Sequence, residues 1–233
     1  SLPLPGGTTT LIYDMKTGQR EAEWLSLSGT IRNCSGGITP WGSWLTCEEN
    51  MTRAGDGVNN DHGYIFEVPA THRGLVKPVP LKAMGRFNHE AACIDPRTGI
   101  AYLTEDRGDG LLYRFIPNEK GKLALGGRLE ALAFVESDIK DTRNWTGTQV
   151  VKGKQYRAKW VPLSEPESPN DDLRKQGAAK GAALFARGEG IFWGEGELFF
   201  ACTNGGIGKY GQIFRYVPAV NEGFPGESDA PGM

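Results

Sequence analysis

The chain has 233 residues and a formal net charge of −2. This near balance of charge excludes a general electrostatic attraction to nucleic acid or to anionic membranes. No apolar run approaches the roughly 18 residues of a membrane span, and the 33 glycines and 14 prolines favour many short strands joined by tight turns.

The first predicted element is a hairpin formed by residues 8–15 and 21–28 around a Lys16-Thr17-Gly18 turn. One polar pattern then occurs three times, and each copy predicts a strand, a tight turn and a second strand with a polar end. The three copies occupy residues 33–49, 88–106 and 187–204. A further strand, which begins with Gly and ends with Pro, follows each copy at residues 63–69, 110–117 and 211–218.

The second and third copies are about two repeat lengths apart, which predicts a degenerate unit at residues 120–180. Its strand candidates are residues 129–135 and 156–161. Much of this part of the chain is charged and rich in proline, so we expect a surface excursion at about residues 136–180.

A period of about 50 residues with several strands per unit predicts an all-β fold of the β-propeller type. One blade cannot bury both faces of its sheet, so neighbouring blades must stack. A β-sandwich is the alternative, although sandwiches rarely keep such an internal register. We expect residues 1–233 to form a single propeller domain that is a segment of a ring, incomplete at both ends.

The repeats also predict a site. In each hairpin the start of the first strand and the end of the second lie at the same edge. Because the inner strands of a propeller line its axis, the polar ends of all copies should converge at one end of the channel. The converging residues are Cys34, Glu48, Glu49, Glu90, Glu105, Asp106, Glu189 and Asn204, with His89 and Arg187 beside them.

Carboxylates in this number cannot all stay ionised without counter-charge, and their oxygens suit Ca²⁺ or another hard cation. A thiolate at Cys34 adds a position suited to a transition metal, so the hypothesis is a mixed metal cluster. Each residue also has a structural interpretation. Strand-end carboxylates can accept backbone hydrogen bonds, His89 can be a hydrogen-bonded wall residue, and Arg187 can pair with Glu189.

These motifs resemble those of the PhoX-type alkaline phosphatases. The matching runs are residues 29–37, 39–42, 46–49, 85–91, 102–106 and 186–190. They keep the order of the family's motifs, and the likeness spans about residues 8 to 218. Family chains are longer, and they carry an N-terminal Asn-His-Glu segment and later blades with further acidic residues that are not visible in these 233 residues.

The resemblance implies a β-propeller, usually six-bladed, with Fe³⁺ and Ca²⁺ at one end of the channel. Cys34 would bind iron, and Arg187 would contact the substrate phosphate. The other implied ligands are Glu90 and Glu189 for the cluster, and Glu49, Glu105 and Asp106 for calcium or iron. The nucleophile would not be a side chain, which agrees with the lack of a serine candidate in the sequence. A periplasmic or secreted location is implied as well.

The resulting hypothesis is metal-dependent hydrolysis of small-molecule phosphate esters by a monomer, without nucleic-acid or membrane partners. Arg187 and His89 are the candidate catalytic residues. Two alternatives stay open. A calcium-dependent lactonase or phosphotriesterase on a similar propeller would leave Cys34 idle, and a non-catalytic propeller would use its carboxylates only to hold calcium.

Overall fold

The computed structural model describes residues 4–136 and 138–233, and within them the fold is all-β, as predicted. The strands are β1 (Gly6–Asp14), β2 (Gln19–Thr30), β3 (Asn33–Ile38), β4 (Ser43–Glu48), β5 (Ile65–Pro69), β6 (His89–Ile94), β7 (Ala101–Glu105), β8 (Leu112–Pro117), β9 (Gly127–Phe134), β10 (Ala158–Pro162), β11 (Gly188–Gly194), β12 (Glu197–Cys202) and β13 (Gln212–Tyr216). One α-helix, α1 (Leu173–Ala179), and three short 3₁₀ turns complete the described elements.

The strands form four antiparallel sheets, and none of the sheets described closes on itself. β1 and β2 make the predicted N-terminal hairpin. The first sheet contains β3–β5, the second has the order β10-β9-β8-β7-β6, and the third contains β11–β13. Each copy of the sequence repeat therefore supplies the first two strands of one sheet, and the Gly-to-Pro signature supplies the third strand.

The second sheet lies between the first and the third, because β6 packs against β3 on one side and β11 on the other. Alternate residues of its strands enter two different cores. Ala92, Leu103 and Tyr113 pack with the first sheet, whereas Cys93 and Tyr102 pack with the third. Burial on both faces explains why all six residues of β6 are buried.

The outer faces of the stack differ. Leu27 of β2 covers the outer face of the first sheet, where it packs with Phe66 and Val68. The outer face of the third sheet presents apolar side chains to solvent, with Phe192 69% and Ile213 72% exposed.

The two strands expected of a separate degenerate unit do not form their own sheet. β9 pairs with β8 and β10 pairs with β9, so both strands extend the second sheet. A short loop containing the 3₁₀ turn Leu123–Leu125 joins β8 directly to β9. A connection this short favours an antiparallel neighbour in the same sheet.

The chain after β10 returns to the second sheet. α1 packs through Leu173 into the core shared with the first sheet. The buried guanidinium of Arg86 donates to the carbonyl of Ser168 at 3.2 Å, which ties the loop before α1 to the body of the protein.

The first and second sheets approach each other closely at Gly37. A Cβ at this position would lie 1.9 Å from the carbonyl oxygen of Ala92 in β6. No side chain larger than hydrogen fits there without moving one strand.

A buried ionic cluster holds the segment after β13 against the second sheet. Arg114 of β8 is 2% exposed, and it pairs with Glu130 at 2.6 Å, with Glu222 at 2.7 Å and with Glu227. Glu222 also accepts hydrogen bonds from the hydroxyls of Tyr102 and Tyr216. Between residues 4 and 233, the gap at 137 aside, no helix has the length and apolar character to cross a membrane.

Candidate functional site

A β-bulge stands at the start of the first strand in each of the three repeats. The register of β3 on β4 shifts between Asn33 and Gly36, and that of β6 on β7 shifts between His89 and Ala92. The corresponding shift of β11 on β12 follows Gly188. A bulge re-aims the side chains within it. The residues in the equivalent bulge position are Cys34, Glu90 and Glu189.

Two of these residues meet directly, together with Glu49 from the end of β4. One donor atom from each of Cys34, Glu49 and Glu90 lies within 4.8 Å of the others. The Cys34 thiol donates a hydrogen bond to Oε1 of Glu90 at 3.2 Å. A thiol and two carboxylates at this separation form a donor set that fits a metal ion.

The residue after the second strand of each repeat is held by the same main-chain hydrogen bond. The N–H of Glu49 donates to the carbonyl of Arg32 at 3.0 Å. The two counterparts join Asp106 to Asn88 at 3.2 Å and Thr203 to Arg187 at 3.0 Å. The three repeats thus place three equivalent sets of residues at one edge of their sheets.

Arg187 connects the second and third sets. Its Nε and Nη2 donate to the two carboxylate oxygens of Asp106, each at 2.7 Å, and Nη2 also reaches Glu189 at 3.0 Å. Thr203 donates to the same Glu189 oxygen at 3.0 Å. Arg32 makes a looser contact with Glu49, at 3.2 Å from Nη2 to Oε2.

An open pocket of about 410 Å³ lies over this cluster. Its walls are almost entirely polar and carry three arginines and two carboxylates. The lining residues are Arg32, Glu49, Asn50, Met51, Asn88, Asp106, Arg107, Gly108 and Arg187. A small anion could therefore contact cationic and amide groups while lying beside a candidate metal centre.

The carboxylates of the cluster repel one another when no cation is bound. Burial raises the pKa of Glu90 to about 7, and the charges of Glu189, Glu49 and Asp106 add to this rise. Burial and the nearby Glu90 raise the pKa of the Cys34 thiol to about 12. Burial also raises the pKa of Glu49, while Arg32 opposes that rise. A bound cation would relieve the same repulsion.

Two of the predicted ligands point away from the pocket. Glu48 is fully buried and accepts hydrogen bonds from the backbone N–H groups of Ile31, Gly63 and Tyr64, at 2.9, 2.9 and 3.2 Å. It also contacts Nδ1 of His62 at 2.7 Å.

Glu105, the equivalent residue of the second repeat, is likewise buried, and its Oε2 accepts hydrogen bonds from the Tyr113 hydroxyl at 2.7 Å and the Leu111 N–H at 3.2 Å. Burial raises its pKa to about 7. Successive strand residues face opposite sides, so Glu48 and Glu105 turn inward while Glu49 and Asp106 turn to the site.

The structure also places His89 and Asn204 outside the pocket lining. His89 is fully buried, and the centroid of its ring lies 3.5 Å from that of Phe87. Its Nε2 contacts the carbonyl of Gly85 at 2.9 Å. Burial lowers its pKa to about 3, so the imidazole is neutral at physiological pH. Asn204 is half-buried, and its carbonyl accepts a hydrogen bond from Trp145.

The sequence reasoning missed three residues of the site: Arg32, Asn88 and Thr203. Asn88 donates to Glu49 at 3.3 Å and to the Asp106 carbonyl at 3.4 Å. Arg32 and Asn88 stand two residues before the bulge positions, as Arg187 does. An alignment of the three copies on those positions would have found both.

The fold and the site together define an all-β protein with a candidate metal centre at the ends of repeated hairpins. A model of the alkaline phosphatase PhoX family matches residues 6–225, and the chain belongs to this family. The resemblance inferred from the sequence motifs is thereby confirmed.

The structure is similar to that of Pseudomonas fluorescens PhoX, which was solved in complex with vanadate, a transition state analogue. The TM-score is 0.59 and the identity is 18%, with 97% of this chain and 52% of that chain covered. This likeness supports the fold, and this chain spans about half the length of that protein. No curated protein gives a significant match.

Proposed function

We propose that the chain hydrolyses small-molecule phosphomonoesters in a metal-dependent reaction, as an alkaline phosphatase of the PhoX type. The observation that carries this proposal is the meeting of Cys34, Glu49 and Glu90 within 4.8 Å, beside a pocket lined by arginines. Membership of the alkaline phosphatase family supports it. So does the vanadate complex of the similar Pseudomonas protein, because vanadate mimics a transferring phosphoryl group.

The donor set fits Fe³⁺ together with Ca²⁺. Cys34 supplies a sulfur ligand that suits iron, and Glu49 and Glu90 supply oxygen ligands that suit either ion. Asp106 and Glu189 are the further ligands of this proposal, and they lie close enough for their charges to raise the pKa of Glu90. When bound, such ions act as Lewis acids that polarise the phosphoryl oxygens and stabilise the departing alkoxide. Glu48 and Glu105 do not bind the metal in this proposal, and they stabilise the strand ends by accepting buried hydrogen bonds.

Arg187 orients the phosphate in this proposal. Its guanidinium is held in one plane by Asp106 and lines the pocket, and its side chain is 45% exposed. Because Nε and Nη2 are bound to Asp106 and Glu189, the phosphate would be bound through Nη1, and the positive charge favours the transition state, in which charge collects on the equatorial oxygens. The Asn88 side-chain amide, which donates to Glu49 and to the Asp106 carbonyl, positions these two groups on the same wall. His89, buried and neutral, holds the strand start in place instead of exchanging protons with substrate.

The fold supports a more specific architecture. We propose that the three stacked sheets are consecutive blades of one β-propeller domain, of the six-bladed type, with the pocket at one end of its channel. The exposed apolar face at Phe192 and Ile213 is the kind of surface that a further blade would cover. A periplasmic or secreted monomer would fit the proposed activity.

Metal analysis and an activity assay test the proposal together. We expect the purified chain to contain iron and calcium and to hydrolyse an aryl phosphate, with chelators abolishing the reaction. Cys34→Ala should lose iron, whereas Cys93→Ala, which alters a buried thiol in the core of the second sheet, should keep it. A chain that binds calcium alone would favour the lactonase, phosphotriesterase or non-catalytic alternatives. A chain without bound metal would contradict the proposal.

A further inference from the structure

Arg32 is the counterpart of Arg187 in the internal repeat. Each stands two residues before a bulge residue, Cys34 in one case and Glu189 in the other. Each uses its carbonyl to accept the N–H of the residue after the second strand. Both have left-handed backbone conformations that are uncommon for residues with a side chain, with φ of 46° at Arg32 and 57° at Arg187. The repeat thus presents two arginines to one pocket in the same way.

The two arginines differ in how firmly they are held. Arg187 makes three hydrogen bonds to Asp106 and Glu189, whereas Arg32 has one contact with Glu49 at 3.2 Å. The Arg32 side chain is 64% exposed. Most of its donors therefore remain available to a ligand.

Arg32 and Arg187 pair with two different carboxylates of the acidic cluster. Glu49, the partner of Arg32, and Asp106, the partner of Arg187, are neighbours whose charges interact. Both arginines line the pocket. The third arginine of the lining, Arg107, is paired with Asp171 at 3.0 Å. With a phosphate held at Arg187, the exposed Arg32 guanidinium would remain in the same pocket to bind a second group of that molecule.

We propose that Arg32 is a specificity-determining residue that binds a second anionic group of the substrate. The favoured substrates are then phosphomonoesters whose leaving group carries a carboxylate or a further phosphate. This inference rests on the proposed function, because it takes the pocket as the phosphate site. The charge-assisted, planar donor pair of a guanidinium suits either group.

Two non-hydrolysable phosphonates test the inference by calorimetry on the metal-loaded chain. Methylphosphonate offers one anionic end, and phosphonoacetate adds a carboxylate. We expect the wild type to bind phosphonoacetate about tenfold or more tightly than methylphosphonate, as one charge-assisted contact would give. Arg32→Asn, which suits the left-handed backbone and copies Asn88 of the second repeat, should bring the two affinities together. Arg187→Asn should weaken both ligands and keep their ratio.

Several results would overturn the inference. One is that the wild type binds the two phosphonates with equal affinity, and another is that it binds neither. Both are measured on the wild type, so they do not depend on the folding of any variant. Another is a preference that survives in Arg32→Asn. Arg32→Lys, which keeps the charge and loses the planar fork, should retain only part of the preference. Aryl phosphate hydrolysis without a preference for phosphonoacetate would leave the proposed function standing alone. A preference without hydrolysis would support the inference and contradict the function.

Discussion

The carboxylates of Glu48 and Glu49 are adjacent in the chain and face opposite sides of the strand end. Glu48 accepts three backbone hydrogen bonds inside the protein, whereas Glu49 faces the pocket beside Cys34 and Glu90. One carboxylate therefore stabilises the fold, and the other is a candidate ligand.

A matched pair of variants separates these two roles. Glu48→Ala should lower the free energy of unfolding by about 3 kcal/mol, because buried N–H groups lose their acceptor. Glu49→Ala should change it by less than about 1 kcal/mol and relieve repulsion in the cluster. Urea denaturation measures the first effect, and metal content per folded molecule should fall only in Glu49→Ala. Metal loss from folded Glu48→Ala would make Glu48 a ligand after all.

The role of Arg187 has its own kinetic signature. Arg187→Ala removes a charge-assisted contact, so kcat/KM for an aryl phosphate should fall by about 10- to 150-fold. Arg20→Ala serves as the control, because Arg20 lies in the exposed N-terminal hairpin and pairs with Glu23. Unchanged turnover in Arg187→Ala would exclude the proposed contact with the phosphate.

Repeat spacing was sufficient to predict Cys34, Glu90 and Glu189 as equivalent residues, and the structure places all three in bulges. It could not separate Glu48 from Glu49, since a shift of one residue in a strand moves a side chain to the other face. The same ambiguity led to Asn204, whereas the structure puts Thr203 in the third equivalent position. Bulges change the register locally, and their effect on each side chain is visible only in the folded sheet.

Among the elements, the contact between β3 and β6 fixes the two halves of the candidate metal centre, because Cys34 and Glu90 stand on these strands. Gly37 permits this contact by lying against the Ala92 carbonyl. The distance between the two ligand-bearing strands therefore depends on a residue outside the site.

Gly37→Ala should consequently reduce stability by about 1–3 kcal/mol and also weaken metal binding, because the strands must separate. Gly147→Ala is the control: no atom would lie within 4 Å of its Cβ, and its φ is not positive. Chemical denaturation and metal titration of the two variants provide the comparison. Equal stability and equal metal affinity of the two variants would show that β3 and β6 can accommodate a methyl group at position 37.

The sequence was sufficient to predict where strands form. It was not always sufficient to predict the sheet to which a strand belongs. The candidates at 129–135 and 156–161 correspond to β9 and β10, yet they extend the second sheet. The sequence of these two strands does not indicate which neighbouring strand each of them pairs with. The pairing of β9 with β8 follows from the short loop between them, which the period of about 50 residues obscured.

Across the whole molecule, the stack is secured where the segment after β13 returns to β8. Arg114 faces three carboxylates there: Glu130, Glu222 and Glu227. Burial raises the pKa of Glu222 above the ordinary value of 4.5, although Arg114 opposes this. At a pH just above 4.5, the Glu222 carboxyl group therefore binds a proton more readily in the native protein than in the unfolded chain.

Stability should accordingly fall as the pH rises from about 4.5 through the raised pKa of Glu222. Glu222→Gln, which stays neutral and still accepts from Tyr102 and Tyr216, should lack this contribution. Urea unfolding at pH 5 and pH 8 should show a larger loss for the wild type than for the variant. Parallel losses would mean that Glu222 is ionised throughout.

The main-chain hydrogen bonds of the three repeats have a consequence for redesign. The bonds from Glu49, Asp106 and Thr203 to Arg32, Asn88 and Arg187 use no side-chain atoms. Side chains at these positions can therefore be substituted without removing the main-chain hydrogen bonds, provided that the residues at 32 and 187 tolerate a left-handed backbone. Asp at position 203 would give the third repeat the carboxylate that the other two already have. The net charge of the pocket can in this way be changed by one unit at a time, with one substitution in each hairpin.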